Sequence, residues 1–158
     1  MALCTKGFTL VETLIVLLLM SIVATLAVPS FREVVVESKI DSATAFLVGD
    51  VRYAQSLAIR TQQTHGVIFD STHDEYRVVD QNGVTVQHPL TKHLYRVVFG
   101  ERTQLHGVDV VSALFGASHT VSFDAFGTPQ SSGTVILSYA DKQRSIDVVY
   151  PTGRVVIR

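Results

Sequence analysis

Lys6-Gly7-Phe8-Thr9-Leu10-Val11-Glu12 opens an apolar run that continues to Val28. Between Phe8 and Val28 lie 21 residues, of which Glu12 is the only charged one. As an α-helix this run is about 31 Å long at about 1.5 Å per residue, a match to a bilayer core of about 30 Å. A charge at the centre of such a segment costs about 2.5–3.5 kcal/mol, and less toward the end, where Glu12 sits. The carboxylate asks for a partner, and no Lys or Arg stands nearby on the membrane side. Cleavage after Gly7 would create one, a free α-amino group on Phe8. Within one helix the amine and Glu12 share a face, and in a bundle of identical helices the amine of one chain can meet the carboxylate of the next.

Gly7-Phe8-Thr9-Leu10-Val11-Glu12 resembles the processing site of type IV prepilins and of the pseudopilins of type II secretion. The resemblance implies that a prepilin peptidase/N-methyltransferase cuts between Gly7 and Phe8 and methylates the new N-terminal Phe8. It also implies that Glu12 guides assembly with other pilins or pseudopilins. The location it implies is the bacterial inner membrane, in contact with its lipid, with a single pass and the C-terminal head in the periplasm.

Three simpler readings compete. A plain transmembrane anchor explains the apolar run but leaves Glu12 unexplained. A secretory signal cleaved near Ala24 and Ala27 has small residues in suitable places, yet its apolar region is long and holds a carboxylate. A lipoprotein reading of Cys4 fails on order, because Cys4 precedes the apolar run.

The 158 residues leave room for one domain beyond the N-terminal helix. A net charge of −1 gives no broad electrostatic footprint for nucleic acid or acidic lipid. The single cysteine falls in the expected leader, so a processed chain has no disulfide to rely on. Pro29 should bend or pause the helix. Beyond it Ile40, Ala43, Leu47, Val51, Ala54 and Ala58 recur at intervals of three and four, the stripe of an amphipathic stem reaching about Gln62. The expected division is a leader, 1–7, a transmembrane and assembly helix, 8–31, a stem, 32–62, and a β-rich head, 63–158.

From His65 onward the pattern shortens to β-rich runs at 67–69, 76–79, 84–86, 94–99, 108–111, 120–123, 134–139, 144–150 and 154–157. Asn82-Gly83 suggests a type I′ hairpin between the second and third. These runs predict antiparallel sheets covered on one face by the stem, an α+β fold. Three further stretches, Arg52 to Ile59, Phe123 to Pro129 and Ile146 to Ile157, resemble the GspH/FimT type, comprising H-type minor pseudopilins and FimT/FimU-type minor pilins. That implies a type IV pilin-like fold and a place in the tip complex of a short periplasmic filament that helps export folded proteins. Secreted cargo would then be a further partner.

The sequence offers little for catalysis, and neither an enzyme nor a cofactor is expected. Histidines at 65, 73, 88, 93, 106 and 119 lack the spacing of a helical metal site. Asp70, Asp74, Glu75 and Asp80 could gather around one hairpin but lack an ordered Ca²⁺-ligand pattern. Ser118, His119 and Asp124 are the types of a hydrolytic triad, a combination that arises by chance in serine-rich β-domains. The basic C-terminal segment carries Lys142, Arg144, Arg154 and Arg158 against Asp147. Arg154 and Arg158 fall on one face of an extended strand and could touch phosphates. Some FimT-type minor pilins are associated with DNA uptake through Gly-Arg-x-Arg; here Gly153-Arg154 is followed by Val155-Val156, so that match is partial. The alternative is an edge strand guarded by charge.

Overall fold

The computed structural model describes residues 7–101 and 105–158, and for residues 26–31 the backbone alone. Most of the expected leader, including Cys4 and Lys6, lies outside the described residues. One helix, α1 (Leu10–Thr61), precedes eight strands: β1 (His65–Asp70), β2 (Glu75–Asp80), β3 (Arg96–Val98), β4 (Asp109–Phe115), β5 (Thr120–Phe123), β6 (Gly133–Tyr139), β7 (Lys142–Val149) and β8 (Arg154–Ile157). The helix is continuous through Pro29, without the pause expected there. A proline removes one donor, and the i→i−4 ladder on either side suffices to carry the helix past it. At its far end Gln62 takes φ 53°, the left-handed conformation that stops a helix.

The chain divides between Val35 and Val36 into two compact units. In the first, the side chains described, those of residues 7–25 and 32–35, are all exposed. Three of its hydroxyls bond to their own backbone: those of Thr13, Ser21 and Thr25 donate to the carbonyls of Leu10, Leu18 and Ser21 at 2.8, 2.7 and 2.8 Å. This satisfies them without water. Among the described residues no helix is long and apolar enough to cross a membrane. The side chains of the expected span beyond Thr25, residues 26–31, lie outside those described.

In the second unit the stem stripe is the core. Ile40, Ala43, Leu47, Val51, Ala54 and Ala58 are each at most 1% exposed. From Ala43 onward they pack with the inward side chains of two antiparallel four-stranded sheets, ordered β3-β2-β1-β5 and β4-β6-β7-β8. Val67, Val78, Val97 and Phe123 come from the first sheet, and Phe115, Leu137 and Ile146 from the second. In β4 a bulge between Val110 and Ser112 shifts the alternation. Val110 and then Ala113 and Phe115 all face inward, which a strict two-residue period forbids.

The Asn82-Gly83 turn differs from expectation. Only Gly83 has positive φ, at 76°, so the turn is not type I′. Gly83 N–H donates to the Asp80 carbonyl and Asp80 N–H to that of Val84, a three-residue loop closed by a left-handed glycine. The Asp80 carboxylate selects this form by accepting the N–H groups of Asn82 and Val84, at 2.8 and 2.9 Å. Chain 84–86 then makes one isolated bridge, Val79 to Thr85, and is not the strand predicted there.

Candidate functional site

The N-terminal site is built on the start of α1. Gly7 precedes the helix, and Phe8 is 74% exposed. Glu12 lies in the first turn. Its backbone N–H donates to Thr9 Oγ1 at 3.3 Å, and Thr13 N–H donates to the Thr9 carbonyl at 3.2 Å. Thr9 is therefore the N-cap, and Thr9-Leu10-Val11-Glu12 has the spacing of a capping box. The reading of Glu12 from charge alone missed this, although the Thr-x-x-Glu signal was present. The positive end of the helix dipole is a second electrostatic reason for a carboxylate at this position.

In the head, several polar contacts tie the stem to the sheets and their loops, Lys39 Nζ donating to the Tyr139 hydroxyl at 3.4 Å among them, and three bear on the candidate residues. The first centres on Asp50, which the sequence did not single out. Its two carboxylate oxygens accept the hydroxyls of Tyr76, at 2.5 Å, and Tyr95, at 2.8 Å. Tyr95 also stacks on Tyr53, with ring centroids 5.4 Å apart. Hydrogen bonds to a charged group are worth about 1.5–3 kcal/mol each. Asp50→Asn keeps one acceptor oxygen but places an amide donor against a hydroxyl. We expect it to lower the stability of the head by about 1.5 kcal/mol, measured by urea unfolding; an unchanged midpoint would show that the tyrosines do not depend on this charge.

The second contact removes Arg144 from the basic C-terminal cluster. Its guanidinium donates to Asp41 at 2.9 Å and to Glu37 at 3.0 Å, both on the stem. The hydrogen bond to Asp41, with Glu37 adding to it, raises the pKa of Arg144.

The third contact unites the stretches that carry the GspH/FimT resemblance. Gln55 Nε2 donates to the Gly127 carbonyl at 2.8 Å. Gly127 and Gly153 both hold positive φ, at 80° and 65°. A Cβ on Gly127 would lie 2.7 Å from Ile59 Cδ1; one on Gly153 would collide with Gln55 Nε2 and lie 2.9 Å from the Gly127 carbonyl oxygen. Segments 52–59, 123–129 and 152–155 thus meet around one amide.

The remaining candidates perform structural tasks. Asp124 Oδ1 accepts the N–H groups of Phe126 and Thr128, both at 2.9 Å, shaping the turn that ends in Gly127. Ser118 Oγ donates to the carbonyls of Phe115 and Thr120, and His119 Nδ1 lies 2.7 Å from the Ala113 carbonyl. No triad geometry links Ser118, His119 and Asp124 among these bonds. Asp70 accepts from the N–H of Thr72 and pairs with His73 at 2.8 Å. That side-chain bond foremost lowers the pKa of Asp70 and raises that of His73. Asp74 accepts the N–H of Val110, and Glu75 pairs with Arg96. Among the described residues no three His, Cys, Asp or Glu side chains are placed to hold a metal ion. β8 is an edge strand paired only with β7. Just past its end Arg158 pairs with Asp147 at 3.4 Å, while Arg154, at its start, is exposed and makes no side-chain hydrogen bond or ion pair among the described residues.

The family described as Type II transport protein GspH matches residues 43–151, and the prokaryotic N-terminal methylation motif matches residues 4–28. The chain belongs to the GspH family. Its fold is type IV pilin-like, as two solved structures illustrate. The minor pseudopilin EpsH from the type 2 secretion system of Vibrio cholerae aligns with TM-score 0.58 at 12% identity, covering 76% of this chain and 96% of that one. The type IV minor pilin FimU of Pseudomonas aeruginosa aligns with TM-score 0.54 at 16% identity, covering 77% and 90%. At these identities the likeness is one of fold. No curated protein matches the chain significantly. Within this GspH-family head, the match from residue 43 to residue 151 takes in the buried stem stripe from Ala43 onward, strands β1 to β7 and the Gln55–Gly127 contact.

Proposed function

We propose that this protein is a minor pseudopilin of a type II secretion system, a structural subunit at the tip of a periplasmic pseudopilus. The observation that carries the reading is the joining of a methylation motif at residues 4–28 to a GspH-family head on one chain. The apolar helix, with its hydroxyls bonded to its own carbonyls, suits first a bilayer and then the packed core of a filament. Prepilin peptidase cuts after Gly7 and Phe8 is methylated. The new amine meets Glu12 of a neighbouring subunit, and the head makes contacts with other pseudopilins and with cargo. Intact mass measurement on protein from cell envelopes tests the first step. We expect a chain beginning at methylated Phe8; one beginning at Met1, at Ala2 or near Val28 overturns the reading.

A second reading is a FimT/FimU-type minor pilin that binds DNA during uptake. Arg154 favours it, as an exposed cation on an edge strand with no side-chain partner among the described residues. Arg158 contributes less, because Asp147 already engages it. In a gel-shift assay on the soluble head, this reading expects binding that weakens with salt, and further in Arg154→Ala/Arg158→Ala. Affinity indifferent to salt or to the arginines excludes it.

A further inference from the structure

We infer that the head carries a binding site for a compact phosphate-bearing anion, in the groove between the end of the stem and the 86–92 loop. The groove has a volume of about 390 Å³. It is lined by Arg60 and His65, by His88 and Lys92, and by Tyr53 and Leu57, among others. No carboxylate is among its lining residues. Arg60 and Lys92 make no side-chain hydrogen bond or ion pair among the described residues, so both are available to a ligand.

Both histidines are oriented by their neighbours. His88 Nδ1 accepts the N–H groups of Leu90 and Thr91 at 3.2 and 3.3 Å, which puts the proton of the neutral ring on Nε2 as a donor. Its ring lies 4.5 Å from that of Tyr95, which limits its rotation. His65 is 5% exposed, and its Nδ1 lies 3.1 Å from the Gln63 carbonyl and 3.3 Å from Thr61 Oγ1. Asp80, opposite His65 in the β1–β2 ladder, has one carboxylate oxygen already committed to backbone N–H groups. Two permanent cations and a fixed imidazole donor, contributed by two separate segments, match the several oxygens and multiple charge of a phosphate better than a single carboxylate. The carbonyls at the end of α1 oppose an anion there, and Arg60 in the last helical turn offsets them.

Full-length protein in a neutral detergent, titrated calorimetrically at constant ionic strength, tests the site. The probes are inorganic phosphate, glycerol 3-phosphate and acetate. We expect saturable heat from inorganic phosphate, from glycerol 3-phosphate, or from both. Binding of inorganic phosphate alone assigns the site to the free anion, and binding of glycerol 3-phosphate alone to an esterified group such as a lipid head. Arg60→Gln/Lys92→Gln should weaken binding at least tenfold. Lys92→Glu, a single change on an exposed loop, serves as a second variant and should abolish it, while Arg77→Gln on β2 should not alter it. Acetate binding as strong as phosphate, no saturable heat from either phosphate, or undiminished binding in the Lys92 variants overturns the inference.

Discussion

Gly153→Val should lower the unfolding free energy of the head, residues 36–158, by about 3 kcal/mol. Holding an L-residue in the left-handed region costs about 1–2 kcal/mol, and β-branching makes it worse. Gly153 sits there, at φ 65°. The new side chain also collides with Gln55 Nε2, which then cannot keep its hydrogen bond to the Gly127 carbonyl. Losing that partly buried bond adds about 1 kcal/mol. Urea unfolding followed by near-ultraviolet dichroism of the tyrosines measures the loss, since the chain has five tyrosines and no tryptophan. Gln55→Ala alone should cost about 1 kcal/mol. Because it vacates the space that the introduced valine needs, the double variant should be more stable than the sum of the singles allows. If the two changes add within about 0.5 kcal/mol, the amide and the glycine are not in contact and this account is wrong.

Glu12→Val should leave membrane insertion intact while reducing recovery in assembled filaments by about tenfold or more. Valine suits an apolar run better than a carboxylate, so insertion gains. On the proposed function assembly loses, because the α-amine that cleavage would create at Phe8 no longer meets its counter-charge. Removing one partner of a buried ion pair costs about 3–5 kcal/mol, and about 1.4 kcal/mol is already tenfold in association. Thr9→Ala separates this role from the capping role. It removes the hydroxyl that accepts the Glu12 N–H, at a typical cost of about 1 kcal/mol confined to the first turn. Fractionation and cross-linking in cells report both variants. Normal incorporation of Glu12→Val ends the pairing model, and an equal defect in Thr9→Ala shows that Glu12 acts through the helix start.

The helical and strand elements were legible to different degrees, for physical reasons. The buried stem stripe was read position by position, because 3.6-residue periodicity is a local signal that burial follows directly. Strands β5 and β8 were placed at their observed ends, whereas 84–86 was read as a strand and makes one isolated bridge. Strand identity there depends on whether a partner edge is available, and the Asp80 carboxylate shaped the preceding turn. Of the head sites, Gly127, Gly153 and Gln55 stood in stretches already noticed. Asp50 gave no signal, since one acid on a helix is ordinary until two tyrosines from elsewhere in the chain converge on it.

By itself the sequence determined the N-terminal motif, the apolar run with one acid, and the amphipathic stem. Each depends on residues close together in the chain, where spacing alone decides which groups share a face. Only the tertiary structure decided that Arg144 pairs with Glu37 and Asp41, that Arg154 is left exposed at a sheet edge, and that Gln55 is clasped by two distant glycine turns. Those are long-range pairings, chosen by sheet register and by close packing against the stem, and neither can be read from local periodicity.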